Sequence, residues 1–382
     1  MPIGSDKGSF IKPGFLPLTV GPEEPSAKRF AWGSNVNGRL GNGTTTDYSS
    51  PIQVGTDTWT HLESMRTAGG GVKEAGTLWM WGNNNQGRLG DGTTTVRSSP
   101  VQIGALTNWL TVSCGYSTYA TKTDGTLWAW GWNFHGQLGT SNSISYSSPV
   151  QVGALTTWLS TASSYQFALA TKTDGTLWAM GNNTRGQLGD GTTTARNSPV
   201  QIGSFTDWLS IACGQYTSFG VRSNGTMYSW GFSGTGQFAP NLGQSRSGPP
   251  NSSAPTQIGA LTTWLAVSAG KYNMLAVKTD GTLWAWGAVG FGSATGANSP
   301  VQVGSATTWT NKISAGSGST SSDSMMSGIQ SDGTLWTWGF NNKGQLGDGN
   351  TSTTSVPAKV GTLTTWTSVS AALGAVQALG IA

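Results

Sequence analysis

The chain has 382 residues, of which 57 are glycine and 19 tryptophan, while only 9% are charged and the net charge is +4. Glycine and tryptophan both far exceed ordinary usage, as in a turn-rich, ring-rich all-β chain. With so few charges and no run of Lys and Arg, no field able to hold nucleic acid is built, and no window of about twenty apolar residues offers a membrane span.

Residues Met1–Lys28 differ from everything that follows. Five of the fifteen prolines lie here, and they forbid a helix around Ile11, Phe15, Leu16, Leu18 and Val20. An extended or polyproline arm is expected, packed either on its own domain or on a neighbouring subunit. The prolines also interrupt any apolar stretch of a secretory signal, so none is legible. The domain reading is an arm over 1–28 and one repeat domain over 29–382.

From Arg29 onward a single motif returns. Its fullest copy is G-T-L-W-A-W-G at Gly125–Gly131, with the strand-like alternation of Leu127 and Ala129 against Trp128 and Trp130. Asp124-Gly125 before it reads as a tight turn. The closing glycines are Gly33, Gly82, Gly131, Gly181, Gly231, Gly287 and Gly339, at intervals of 49, 49, 50, 50, 56 and 52 residues. Seven copies with a period near fifty, each long enough for about four short strands, read as seven blades of a β-propeller.

The tryptophans repeat with the same period. One set (Trp59, Trp109, Trp158, Trp208, Trp264, Trp309, Trp366) follows a T-x-W pattern, varied to D-T-W at Trp59, and a second (Trp32, Trp81, Trp130, Trp230, Trp286, Trp338) closes the W-G strand. A third (Trp79, Trp128, Trp178, Trp284, Trp336) sits two residues earlier, leaving Trp132 alone outside the pattern. Rings at fixed places in every unit are packing between blades. Pro51, Pro100, Pro149, Pro199, Pro255, Pro300 and Pro357 open a further strand, where a missing N–H does least harm. The last repeat lacks the W-G strand and the first lacks the strands before it, so Gln377–Ala382 is expected to pair with Lys28–Trp32 in one shared blade that closes the ring.

These repeats, D-G-T-L-W-x-W-G-x-N-x-x-G-Q-L-G over Arg29–Ala382, resemble those of the regulator of chromosome condensation family. The resemblance implies a seven-bladed propeller of four-stranded antiparallel blades. It leaves function open, because that family includes a nucleotide exchange factor for a small GTPase and an inhibitor of β-lactamases. A Pro-rich head followed by very regular repeats is also loosely similar to virion-associated proteins of tailed bacteriophages.

No catalytic constellation is visible. His61 and His135 lie in different repeats without a nucleophile beside them, and read as surface histidines. Asp91, Asp190 and Asp348 in L-G-D-G, and Asp124, Asp174, Asp280 and Asp332 in D-G-T, are lone carboxylates before glycine, which form turns and not calcium sites. Cys114 and Cys213 occupy matching places in separate repeats and read as small core residues. The chain is therefore read as non-enzymatic, with no cofactor and no metal.

Partner-binding candidates lie where the repeat varies. Tyr48, Arg97, Tyr146 and Arg196 stand three residues before the strand-opening prolines, at what read as equivalent loop positions. Arg39, Arg88, Arg185 and Lys343 surround the G-[RQ]-L-G loops. Trp132 and Phe134 add loop aromatics, and the fifth repeat carries an insertion through Phe238 and Arg246. Tyr, Trp and Arg are the side chains most often found at interaction hot spots. The expected role is a structural or interaction protein, on a virion in the favoured reading, anchored through Ile11, Phe15, Leu16 and Leu18 to other subunits of an assembly. Its loops would take a protein or glycan ligand, with no nucleic-acid or membrane partner. The alternatives are an exchange-factor-like regulator of a small GTPase and a propeller-type inhibitor.

Overall fold

The structure is a computed structural model that describes residues 27–64, 67–232, 251–271, 273–287, 297–317, 324–371 and 377–382. The arm residues Ile11, Phe15, Leu16 and Leu18, the insertion residues Phe238 and Arg246, and the altered loop of the sixth repeat lie outside them.

The second full repeat shows how a blade is built. Trp109–Cys114, Ser117–Lys122, Leu127–Gly131 and Tyr146–Gln151 pair antiparallel in that order, from the axis outward. The turn between the second and third strands is closed by Gly125 N–H to Lys122 C=O, and Asp124 Oδ1 accepts from both the N–H and the hydroxyl of Thr126. The lone aspartates of D-G-T are thus turn formers, as expected. Lys122 Nζ sits 4.9 Å and 3.8 Å from the ring centroids of Trp109 and Trp128, and Lys73, Lys172 and Lys278 repeat the arrangement in their own blades.

Five such four-stranded sheets are separate, and the remaining strands form one seven-stranded sheet. That sheet is two blades joined by a single strand, Tyr48–Ser64. Its first part is the outer strand of one blade (Phe30↔Gln53, Gly33↔Tyr48) and its last part the inner strand of the next (Leu62↔Gly71, Ser64↔Gly69). Val54 reaches Trp59 with one residue fewer than Ile103 uses to reach Trp109. The linker that elsewhere loops out is here drawn straight, so seven blades are present. The closure is the one read from sequence: Arg29↔Ile381, Ala31↔Leu379 and Gly33↔Gln377 pair antiparallel, and Lys28 and Ala382 exchange backbone hydrogen bonds.

The core lies between blades. Trp130, fully buried, packs on Leu78, Met80 and Leu89 of the preceding blade and on Trp109 and Val112 of its own. Its indole N–H reaches Arg88 C=O at 2.9 Å, while Trp81 reaches Arg39 C=O and Trp32 reaches Gln345 C=O. The W-G ring therefore ties each of these blades to the loop of the one before it. Glycine is required where such a loop meets the next blade: Gly87 has φ +72°, and a Cβ there would lie 2.5 Å from Ser147 Cα.

Candidate recognition site

Loops between inner and second strands, and between third and outer strands, leave from the same end of each blade and make up one face of the ring. In the third-to-outer loop a buried asparagine organises the backbone. Asn133 Oδ1 accepts from Leu138 N–H at 2.9 Å, and its amide donates to Ile144 C=O at 2.9 Å. Asn35, Asn84, Asn183 and Asn341 bond Leu40, Leu89, Leu188 and Leu346 in the same way. This fixes the middle of the loop, while the side chains on either side vary in kind from blade to blade.

Those flanking positions are polar in two neighbouring blades: Asn83 and Asn85, and Asn182 and Thr184, where Asn83 and Asn182 accept from the backbone two residues on and Asn182 also donates to Gln166 Oε1 at 2.8 Å. Between them stand Trp132 and Phe134. Trp132 meets Tyr116 nearly edge to face with centroids 5.8 Å apart, lies parallel to Phe134 at 6.2 Å, and contacts His135 at 5.5 Å. Tyr116 in turn meets Tyr165 of the next blade at 4.8 Å. Ser117 Oγ donates to Trp132 C=O and holds the base of the loop.

The outer edge of this cluster is open to solvent, while Trp132 and Tyr116 are half-buried and Tyr165 is buried. Phe134 is 72% exposed, the most of any large apolar side chain among the described residues. Beside it a hollow of about 250 Å³ is bounded by Gln86, Arg88, Tyr116 and Trp132. The Arg88 guanidinium lies 5.1 Å from the Tyr116 ring and its Nε donates to Asn85 C=O. Two blades on, Tyr216 meets Phe232 at 6.3 Å, with the Arg185 guanidinium over Phe232 at 4.9 Å, so aromatic and arginine side chains continue around the face.

The model of the RCC1-like domain family matches residues 29–379 of this chain. The chain belongs to that family. Yeast RCC1 (Prp20) bound to Kap60 superposes with a TM-score of 0.77 at 17% identity, over 93% of this chain and 88% of that one. Prp20p from Saccharomyces cerevisiae, described for its binding to Gsp1p and histones, gives 0.77 at 18% identity over 95% and 92%. Human WBSCR16 gives 0.77 at 16% identity over 94% and 99%. At these identities the likeness establishes the shared propeller fold.

Within this RCC1-like propeller the other candidates fall differently from expectation. Tyr48, Arg97, Tyr146 and Arg196 are not loop residues: each begins an outer strand opposite a closing glycine, Gly33, Gly82, Gly131 and Gly181. Arg97 and Arg196 pair at 2.7 Å with Asp91 and Asp190, carboxylates that also accept from Thr93 and Thr192. Tyr48 and Tyr146 pack against the inter-blade cores, and Tyr146 Oη accepts from Asn142. These side chains serve their own blades because a strand start leans on the loop that precedes it.

Neither histidine is a plain surface residue. His135 sits within the aromatic cluster, and His61 lines the central channel, its Nε2 2.8 Å from Val112 C=O of the next blade. The channel, about 270 Å³, is walled by inner strands from all seven blades. Serines stitch it: Ser64 N–H donates to Ser370 Oγ, Ser163 N–H to Ser113 Oγ, Ala315 N–H to Ser268 Oγ and Ala371 N–H to Ser314 Oγ. Ser370 Oγ also reaches Glu63 Oε2 at 3.3 Å. Burial pushes the Glu63 carboxyl up to about 8, against the opposing pull of that hydrogen bond.

Cys114 and Cys213 are free, buried and far above the usual thiol range because burial disfavours the thiolate. No group of three His, Cys, Asp or Glu residues able to hold a metal ion occurs among the described residues. Sequence reasoning missed Glu63 and the channel, since nothing in a single repeat marks which strand faces the axis. Trp132 could be found, being the one tryptophan outside the periodic sets.

Proposed function

We propose that this chain is a non-enzymatic recognition propeller that binds a macromolecular partner on the face carrying Tyr116, Trp132, Phe134 and Tyr165. The observation that carries this reading is the aromatic pair at Trp132 and Phe134. Neighbouring blades close the same loop with Asn and Thr, so these rings are not needed for folding, yet Phe134 is 72% exposed. A strongly exposed ring standing on half-buried aromatic neighbours is a usual composition of an interaction hot spot. Quantitative affinity capture tests it: a partner enriched on the parent protein is expected to be lost on the Trp132→Asn/Phe134→Asn variant, and equal enrichment on both would refute the assignment.

A second reading, an exchange-factor-like regulator, is favoured by the family match and by the likeness to Prp20p, a protein described for its binding to Gsp1p. These matches support a partner-binding or regulatory role more than the virion placement expected from the sequence. Nucleotide release from a small GTPase, followed by a fluorescent nucleotide analogue, separates the two. Acceleration by the purified chain supports regulation, and an unchanged rate leaves the recognition role.

A further inference from the structure

We infer that the hollow bounded by Gln86, Arg88, Tyr116 and Trp132 takes one sugar ring of a neutral glycan. The inference rests on the reading of this face as the recognition surface, and names the chemistry of what is recognised there.

The hollow is small. At about 250 Å³ it lies below the range of sites for drug-sized ligands, so it admits a single ring of a longer molecule. Its boundary is aromatic or polar, with no aliphatic and no acidic side chain. A pyranose has the same two-sided character: C–H groups on its face, drawn to the electron-rich face of an indole, and hydroxyls around its edge that need hydrogen-bond partners. Trp132, half-buried and held by Tyr116, Phe134 and His135, presents a ring in fixed orientation. Among the described residues neither its indole N–H nor the amide of the exposed Gln86 has a hydrogen-bond partner, so both remain to meet hydroxyls.

Charge argues for a neutral sugar. The one cation present, Arg88, is nearly buried, turned onto the Tyr116 ring and bonded to Asn85 C=O, and Thr67 Oγ1 takes another of its N–H groups. Its fork is thus committed to the protein rather than offered to a carboxylate or sulfate.

The test uses the full chain and isothermal titration with hexaoses of β1,4-linked glucose, α1,4-linked glucose and β1,4-linked N-acetylglucosamine. A hexauronate and a proline-rich decapeptide serve as the competing chemistries. A neutral hexaose is expected to bind saturably, weakened about tenfold or more by Trp132→Ala and by Gln86→Ala. Leu261→Ala, an exposed site outside the cluster, is expected to leave binding unchanged. Thermal melting of each variant checks that the ring is folded. Absence of saturable binding by every neutral hexaose, tighter binding of the uronate or the peptide, or full binding by folded Trp132→Ala overturns the proposal. The underlying reading fails separately: partner capture that needs Trp132 but survives glycosidase treatment of the partner removes the glycan and keeps the face, whereas capture indifferent to Trp132 removes both.

Discussion

The indole N–H of Trp130 donates to the carbonyl of Arg88 at 2.9 Å, across the gap between neighbouring blades. The same carbonyl accepts from Thr118 Oγ1 at 2.8 Å, and the Arg88 side chain lies over Tyr116 in the aromatic cluster. One residue thus joins the packing of the ring to the platform on its face.

Trp130 and Trp109 touch each other with centroids 6.3 Å apart, yet their N–H groups are in different situations: Trp130 is bonded, and Trp109 is buried with no protein partner among the described residues. Trp109→Phe removes a polar group that costs energy to bury, which offsets part of the lost ring area. Trp130→Phe loses a hydrogen bond as well as area. Trp130→Phe is therefore expected to destabilise by about 1 to 2 kcal/mol more than Trp109→Phe in denaturant unfolding. Equal losses would mean that the inter-blade bond contributes nothing.

Glu63 gives the ring a pH dependence. Burial raises its folded-state pKa from 4.5 to about 8. The folded chain therefore keeps this proton where the unfolded chain has released it, and stability falls as pH rises between those values. Glu63→Gln should flatten that slope, gaining on the order of a few kcal/mol over the parent above pH 8 and little near pH 4. Melting curves across this range decide it; a parallel pH profile in the variant would place the carboxyl in water.

The closing blade depends on backbone pairing between distant parts of the chain. Leu379 lies opposite Ala31 in that ladder and is fully buried. Leu379→Pro removes an N–H from a central ladder and is expected to cost about 3 kcal/mol or more. Val356→Pro, on an exposed outer strand, should cost far less. Comparable melting of the two variants would mean that the clasp is dispensable.

Closure, blade count and turn chemistry were legible because each rests on local residues that recur: Asp-Gly turns, W-G strands, and two chain ends that each lack what the other carries. The seven-stranded sheet was not, since it depends on one residue missing between Val54 and Trp59. The ion pairs of Arg97 and Arg196 were not legible for a related reason. Their aspartates stand six residues earlier, and only the folded loop brings the charges to 2.7 Å. Trp132 showed itself by breaking the period, but its neighbours Tyr116 and Tyr165 come from other loops, and only the ring brings all three together.

Arg196 also tests whether a residue held in such an ion pair takes part in recognition. Its ion pair with Asp190 is partly exposed, so Arg196→Ala should lower stability by at most about 1 kcal/mol. Partner capture should be unaffected. A loss of capture with stability intact would return Arg196 to the interface.

The central claim is that Trp132 and Phe134 are present for recognition and not for the fold. Trp132→Asn/Phe134→Asn, which brings in the residues found at the equivalent Asn83 and Asn85, tests it most directly when melting temperature and partner affinity are measured on the same preparation. The account predicts a melting temperature within a few degrees of the parent together with an affinity lowered at least about tenfold. A large drop in melting temperature, or an affinity equal to the parent's, would contradict it.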